Sequence, residues 1–225
     1  MHIGLIGGIG PAATEFYYRG LVDRHARAGT VLDVTIAHAD VREMARNLMA
    51  NQPQAQAERF ATLVRRLAAA GAEVAAVTSM GGHFCIDELA KISVLPLLNA
   101  IPEVDAAIRR QKLGTIGIIG TRTVMDSGLY GGITAARIVR PHGDALDEVH
   151  TAYITMATAG HVTDAQRQVF FAAGRQLCET QGAEAIVLGG TDLFLAFTGQ
   201  DCGFPVIDCA DVHVEALYQK SLGTG

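Results

Sequence analysis

The sequence predicts an α/β protein made of two similar lobes, each a parallel sheet flanked by helices, with the site in the cleft where their strand ends meet. Two observations carry this. First, short runs apolar on both faces alternate with helical patterns, the signature of buried parallel strands joined by helices. Second, three of these runs recur in the same order at nearly constant spacing. Residues 2–8 (HIGLIGG) resemble 115–121 (TIGIIGT), with Ile3 and Ile116 113 positions apart. Residues 72–79 (AEVAAVTS) resemble 183–190 (AEAIVLGG), offset by 111. Residues 94–98 (VLPLL) resemble 203–207 (GFPVI), with Pro96 and Pro205 109 apart. The ordered spacing favours a duplicated unit over a coincidence of short β-rich runs.

Along the chain, 2–8 reads as a strand entering a glycine turn that opens a helix, and 34–37 (VTIA) as a second strand. Residues 55–70 form a helical pattern. Ala57, Phe60, Ala61, Leu63, Val64 and Leu67 lie on one side, and Gly71 stops it. A strand at 72–79 precedes shorter helical candidates at 89–91 and 102–111. After the strand at 115–121, residues 163–180 repeat the amphipathic pattern with Val169, Phe170, Ala173 and Leu177 inward. Thr163-Asp164 marks the start and Gly182 the stop. Strands at 183–190 and 203–207 and a helix at 210–217 complete the second half. The expected first lobe is 1–101 together with 208–225, the last helix packing back on it, and the second lobe is 102–207.

Composition narrows the function. There are 225 residues, 49% hydrophobic, with 18 Lys+Arg against 23 Asp+Glu. This is enough chain for a large core without a disulfide or metal staple. The net charge of -5 argues against a nucleic-acid module, which needs a basic face. Cys85, Cys178, Cys202 and Cys209 form no CxxC pair, so no metal site is expected. No apolar run approaches the ~20 residues of a membrane span. The start of the chain lacks the basic and long apolar regions of a secretion signal. A cytoplasmic, reduced protein with no membrane partner is expected.

Gly7-Gly8-Ile9-Gly10-Pro11 follows the first strand. It is not GxGxxG, which disfavours a dinucleotide. It can cradle an anion on backbone N–H groups or serve as a plain turn. Together with the rest, it resembles the aspartate/glutamate racemase family. The first turn matches at Gly7, Gly8, Gly10, Pro11 and Thr14, with Ile9 in place of Met. A second-lobe turn matches at Thr121, Ser127, Gly128 and Tyr130, with Val124 where a further threonine is usual. A late segment matches at 188–193 (LGGTDL), and a closing pair at Asp208 and His213. The resemblance spans nearly the whole chain. It implies a small amino acid or carboxylate as substrate, proton transfer at the α-carbon without cofactor (PLP-independent), and a homodimer. It also implies one catalytic cysteine at a strand end in each lobe, one thiolate removing the α-proton while the other thiol returns one. Here Ser79 stands in the first cysteine place and Gly190 in the second, and Met80 replaces an Asn that would hold the substrate carboxylate.

The candidates follow from these departures. Ser79 is either a hydroxyl facing the cleft or an inert isostere of the lost thiol; without an adjacent base it is a poor proton acceptor. Asp192 is either a general base or a helix cap. Thr121 and Thr191 are hydroxyl donors to a carboxylate or turn and cap residues. Gly8, Ile9, Met80, Gly81 and Gly190 would line the substrate. Arg42, just after the second strand, can reach a carboxylate with a bidentate fork or lie on a solvated helix face. Asp40, two residues before it, is not expected to pair with it on a helix. His83 and His213 are acid–base or orienting candidates against a structural role, with Asp208 and Asp211 near enough in sequence to orient His213. A displaced thiol pair, Cys85 with Cys202, is conceivable, although the six residues from Ser79 to Cys85 span about 9 Å of helix. The expected function is a racemase-family isomerase. The alternatives are a non-racemising small-acid binding protein and a one-base decarboxylase or lyase.

Overall fold

The computed structural model describes residues 1–223. The chain divides into two compact units, Met1–Asn99 with His213–Gly225, and Ala100–Val212.

In the first unit β1 (Ile3–Gly7) lies between β2 (Val34–His38) and β3 (Val74–Val77), all parallel, with Ile3 opposite both Val34 and Val74. Beyond β3 a single parallel bridge joins Ala75 to Leu97. There the N–H of Ala75 reaches Pro96 O at 2.9 Å and that of Leu98 reaches Ala75 O at 2.9 Å. β1 and β3 are buried along their whole length, as their two-faced apolar sequences require, while β2 is a partly exposed edge. Helix α1 (Pro11–Ala28) follows the glycine turn, α2 (Val41–Met49) follows β2, and α3 (Pro53–Ala69) and α4 (Ile86–Ile92) flank β3. The helix expected from residue 55 begins at Pro53, a first-turn position where a missing N–H costs nothing. Phe60, Val64 and Leu67 of α3 pack with Ile6, Ala75 and Val77 to form the core.

The second unit contains α5 (Ala100–Arg110), β4 (Thr115–Ile119), α6 (Arg122–Ser127), β5 (Arg137–Val139), α7 (Asp144–Ala159), α8 (Asp164–Gln181), β6 (Ala185–Leu188), α9 (Phe194–Phe197) and β7 (Val206–Asp208). It ends in the first turn of α10 (Cys209–Ser221), which from His213 onward belongs to the first unit. The strand order is β5-β4-β6-β7, all parallel. The recurring sequence segments are therefore equivalent strands: β4, β6 and β7 correspond to β1, β3 and the bridge at Leu97. Helix α8 is closed by a Thr163–Gln166 capping box and ends on left-handed Gly182. Phe170 and Leu177 of α8 and Tyr153 and Met156 of α7 surround Ile186 and Leu188. The two units also share a device for close approach. A Cβ on Gly4 would lie 3.0 Å from Leu67 Cδ1, and one on Gly117 would lie 3.0 Å from Leu177 Cδ1, so glycine lets each covering helix settle onto its central strand.

Candidate functional site

The carboxyl ends of parallel strands are where open α/β sheets bind ligands. In the first unit Thr78 and Ser79 follow β3. Thr78 Oγ1 donates to Ile6 O at 3.2 Å. In the glycine-rich turn, the Gly8 N–H donates to Thr14 Oγ1 at 2.9 Å, and Thr14 Oγ1 donates to Gly10 O at 3.2 Å. The Gly8 donor is thus engaged within the turn. Ile9 and Met80 are buried, and the Met80 thioether offers no hydrogen-bond donor.

Ser79 is held through its main chain. Its carbonyl accepts from Gly82 N at 3.1 Å and from His83 Nδ1 at 2.7 Å. A carbonyl only accepts, so His83 carries its hydrogen on Nδ1. Burial pushes the His83 ring down to about 4, against the Ser79 bond, so it is neutral near pH 7. His83 therefore positions the Ser79 backbone and not the hydroxyl. His213 sits behind it, the ring centroids 6.0 Å apart and edge to face. Its Nε2–H donates to Leu98 O at 3.0 Å, which leaves Nδ1 to accept from the Tyr17 hydroxyl at 2.8 Å. Burial, then His83, pushes it down to about 3. The expectation that Asp208 or Asp211 orients this ring is corrected. The ring is turned to Tyr17 and Leu98, while Asp208 Oδ1 accepts the N–H of Ala210 at 2.8 Å and of Asp211 at 3.4 Å at the start of α10.

Two further expectations are also corrected. Arg42 pairs with Asp40, Nη2 to Oδ2 at 2.9 Å, at an exposed position. The helix spacing rule does not apply, because Asp40 is the extended cap of α2, accepting from Arg42 N and Glu43 N, and not a helical residue. The displaced thiol pair is not formed either. Cys85 lies in the core of the first unit and donates to Gly82 O at 3.5 Å, its thiol pushed up to about 12 by burial. Cys202 lies in the core of the second, against Phe204 O at 3.2 Å. Such buried thiols are inert.

In the second unit the turn after β6 carries Gly189, Gly190, Thr191 and Asp192. Gly190 is not an empty place. A Cβ there would lie 2.2 Å from Tyr153 Cε2 and 2.8 Å from its hydroxyl oxygen, so the Tyr153 ring fills the volume a side chain would take. The phenol donates to Asp192 Oδ2 at 3.1 Å. Burial and the Asp192 charge raise the phenol well above its usual range, opposed by the Asp192 backbone N–H. Asp192 is buried in a short 3-10 turn (Thr191–Leu193), and its carboxylate is committed to Tyr153 instead of capping a helix end. Beside it Thr191 Oγ1 is fully buried without a hydrogen-bond partner, the one such side-chain atom among the described residues. That is a costly state unless a ligand completes it. Thr121, in contrast, caps α6 by accepting from Val124 N at 3.3 Å. Two more groups join the cluster. Burial pushes Asp208, at the end of β7, up to about 7, and burial followed by Asp208 and, more weakly, Asp192 raises Cys209 well above the usual thiol range.

Among the described residues no group of three or more His, Cys, Asp or Glu side chains is arranged to hold a metal ion, and no helix is long and apolar enough to cross a membrane. Tyr153 and Cys209 were not candidates from sequence. The apolar spacing of Leu146, Val149, Ala152, Tyr153 and Met156 reads as a helix face, and nothing in it distinguishes Tyr153 from a core residue.

Comparison with known proteins agrees with this architecture. The chain resembles a putative Asp/Glu racemase from Yersinia pestis over 99% of its length and 100% of that chain, at 27% identity and a TM-score of 0.85. It resembles in fold an aspartate racemase homologue from Pyrococcus horikoshii OT3, over 98% of this chain and 99% of that one, at 21% identity and a TM-score of 0.79. The aspartate racemase of Picrophilus torridus covers 99% of this chain with 95% of its own, at 18% identity and a TM-score of 0.74. Residues 6–217 match the Asp/Glu/hydantoin racemase family, and with two parallel sheets of equivalent order the chain belongs to that family.

Proposed function

We propose that the protein is a racemase-like isomerase acting on a small amino acid or carboxylate by proton transfer at the carbon beside a carbonyl group, without a cofactor. The observation that carries this reading is the Thr191 hydroxyl. It is fully buried, unpartnered and adjacent to the buried carboxylate of Asp192 at a strand end. A ligand carboxylate that accepts from Thr191 would remove the penalty of the orphaned group, on the order of 1–3 kcal/mol. In this reading Thr191 and the backbone around Gly190 hold the substrate, and Asp192 supplies acid–base function. Within the first unit, His83 holds the Ser79 main chain. The test is to incubate the protein with L-aspartate, L-glutamate or malate in deuterated water and follow the α-proton by NMR. Incorporation of deuterium supports the reading; no exchange and no product with any of them overturns it.

A second reading is a binding protein on the same scaffold. The position of His83 favours it: the imidazole engages the Ser79 carbonyl and gives the hydroxyl no base. A ligand that raises the melting temperature and is never turned over would select this reading.

A further inference from the structure

We propose that Tyr153, coupled to Asp192, is the proton-transfer group of the second unit and occupies the volume that a side chain at position 190 would otherwise hold. The proposal deepens the isomerase reading and rests on it. Four observations converge. Tyr153 Oη is 2.8 Å from the Cβ position of residue 190, so the hydroxyl projects where a short side chain on the strand-end turn would project. Gly190 is the residue that permits this, since a Cβ would collide with the ring. The phenol is hydrogen-bonded to Asp192 Oδ2 at 3.1 Å. The orphaned Thr191 hydroxyl lies on the same turn, which supplies a substrate-holding group next to the reacting one.

The pair works as a relay. As the substrate Cα–H bond breaks, its proton passes to Tyr153 Oη. The phenol's own proton passes to Asp192 Oδ2, and the electron pair left on Cα delocalises into the adjacent carbonyl group. Return along the same path, with Asp192 giving its proton to the phenol oxygen as the phenol delivers its own to Cα, regenerates the starting isomer and is read as exchange; inversion follows when the relay delivers its proton to a carbanion whose proton has left from the opposite face. No oxidant or reductant is needed. The relay also explains how a phenol raised above its ordinary range can act near neutral pH, because it never has to persist as a free phenolate.

The test uses full-length protein and three measurements on wild type, Tyr153→Phe and Asp192→Asn: α-deuterium exchange, its pH profile, and ligand-induced thermal shift with L-aspartate, L-glutamate and malate. Tyr153→Phe keeps the ring that fills the space at Gly190, so the fold and the thermal shift should be retained while exchange falls at least ~100-fold. Asp192→Asn should lower exchange and alter its pH profile. Exchange at the wild-type rate in Tyr153→Phe overturns the relay and leaves the isomerase reading standing. Loss of the thermal shift together with exchange overturns it too, since Tyr153 then serves binding. Absence of exchange in the wild-type protein overturns the isomerase reading itself, and the relay with it. A double variant extends the test where exchange is lost: Tyr153→Ala combined with Gly190→Cys should regain exchange that iodoacetamide abolishes.

Discussion

The ends of β3 and β6 are equivalent places in two sheets of the same strand order, and they are furnished in opposite ways. At the end of β3 the residue of interest keeps a small side chain, and the structure holds its main chain. The Ser79 carbonyl is fixed by a neutral imidazole, and a second neutral imidazole lies behind that one. At the end of β6 the residue has no side chain, and a neighbour fills its place. Tyr153 arrives from α7, fills the space, and binds a carboxylate. The first end is a buried, uncharged scaffold; the second gathers a phenol, two carboxyl groups and a thiol. Where a strand end carries no side chain, a close-packed interior gives that volume to a neighbouring group.

This contrast can be broken most sharply by restoring side chains. Gly190→Ala should be the most damaging single change, since its Cβ meets the Tyr153 ring at 2.2 Å. Overpacking of this kind costs about 1–3 kcal/mol, or a melting-temperature drop of several degrees. Ser79→Cys, at the equivalent end, adds little volume and should shift stability by less than about 1 kcal/mol. Thermal denaturation of both variants decides the matter; equal losses would remove the distinction between the two ends.

The acid response should separate the units next. His83 and His213 titrate at about 4 and about 3 in the folded protein, below the ordinary 6.5 of an unfolded histidine. Between those values the unfolded chain binds more protons, so stability falls as pH drops below about 6.5 and continues falling to about 3–4. Asp208 works the other way. Its folded value of about 7 exceeds the unfolded 3.8, so the stability it contributes is full below 3.8 and is lost as pH rises to about 7. Two histidines outweigh one aspartate, and the net trend below pH 6.5 is destabilising. His213→Gln should flatten the acid arm of a denaturation-versus-pH curve, and Asp208→Asn should flatten the rise that opposes it. An unchanged acid arm in His213→Gln would show that the ring does not remain neutral.

A smaller effect distinguishes the two threonines of the second unit. Thr121→Ala should cost about 1 kcal/mol through the lost α6 cap without changing ligand-induced thermal shifts. Thr191→Val should leave stability equal or higher, because it removes an unsatisfied hydroxyl, while abolishing the ligand shift. The reverse pattern would move the substrate contact to Thr121. Thiol labelling gives the mildest test: under native conditions Cys178, half-buried, should react before Cys85 and Cys209, both fully buried.

Much of the fold was legible in the residues. The apolar runs at Ile3, Ile116 and Ile186 could only be buried strands, and Gly182 and the Thr163–Gln166 pair bound α8 by local rules. The repeat gave the strand correspondence, because equivalent segments must occupy equivalent positions in duplicated units. Among the candidate residues, Ser79 and Gly190 could be placed just beyond β3 and β6, but their contacts were not legible. The Arg42–Asp40 pair was not legible because Asp40 is an extended cap and not helical, and the setting of His213 was not because its partners, Tyr17 and Leu98, are 196 and 115 positions away along the chain. Sequence proximity to Asp208 carried no information about where the ring would turn.

The amino-acid sequence alone determined the two parallel sheets, their covering helices and the identities Ser79 and Gly190 just beyond β3 and β6, since periodicity, caps and a residue's identity are local properties. Only the tertiary structure decided what lies against Gly190. The approach of Tyr153 to Gly190 spans 37 positions and is enforced by the packing of α7 against α8 and the turn after β6 in the core of the second unit. Side-chain volume is conserved across a packed interior and not along a chain, so the group that fills a deleted place can be found only where the chain returns to it.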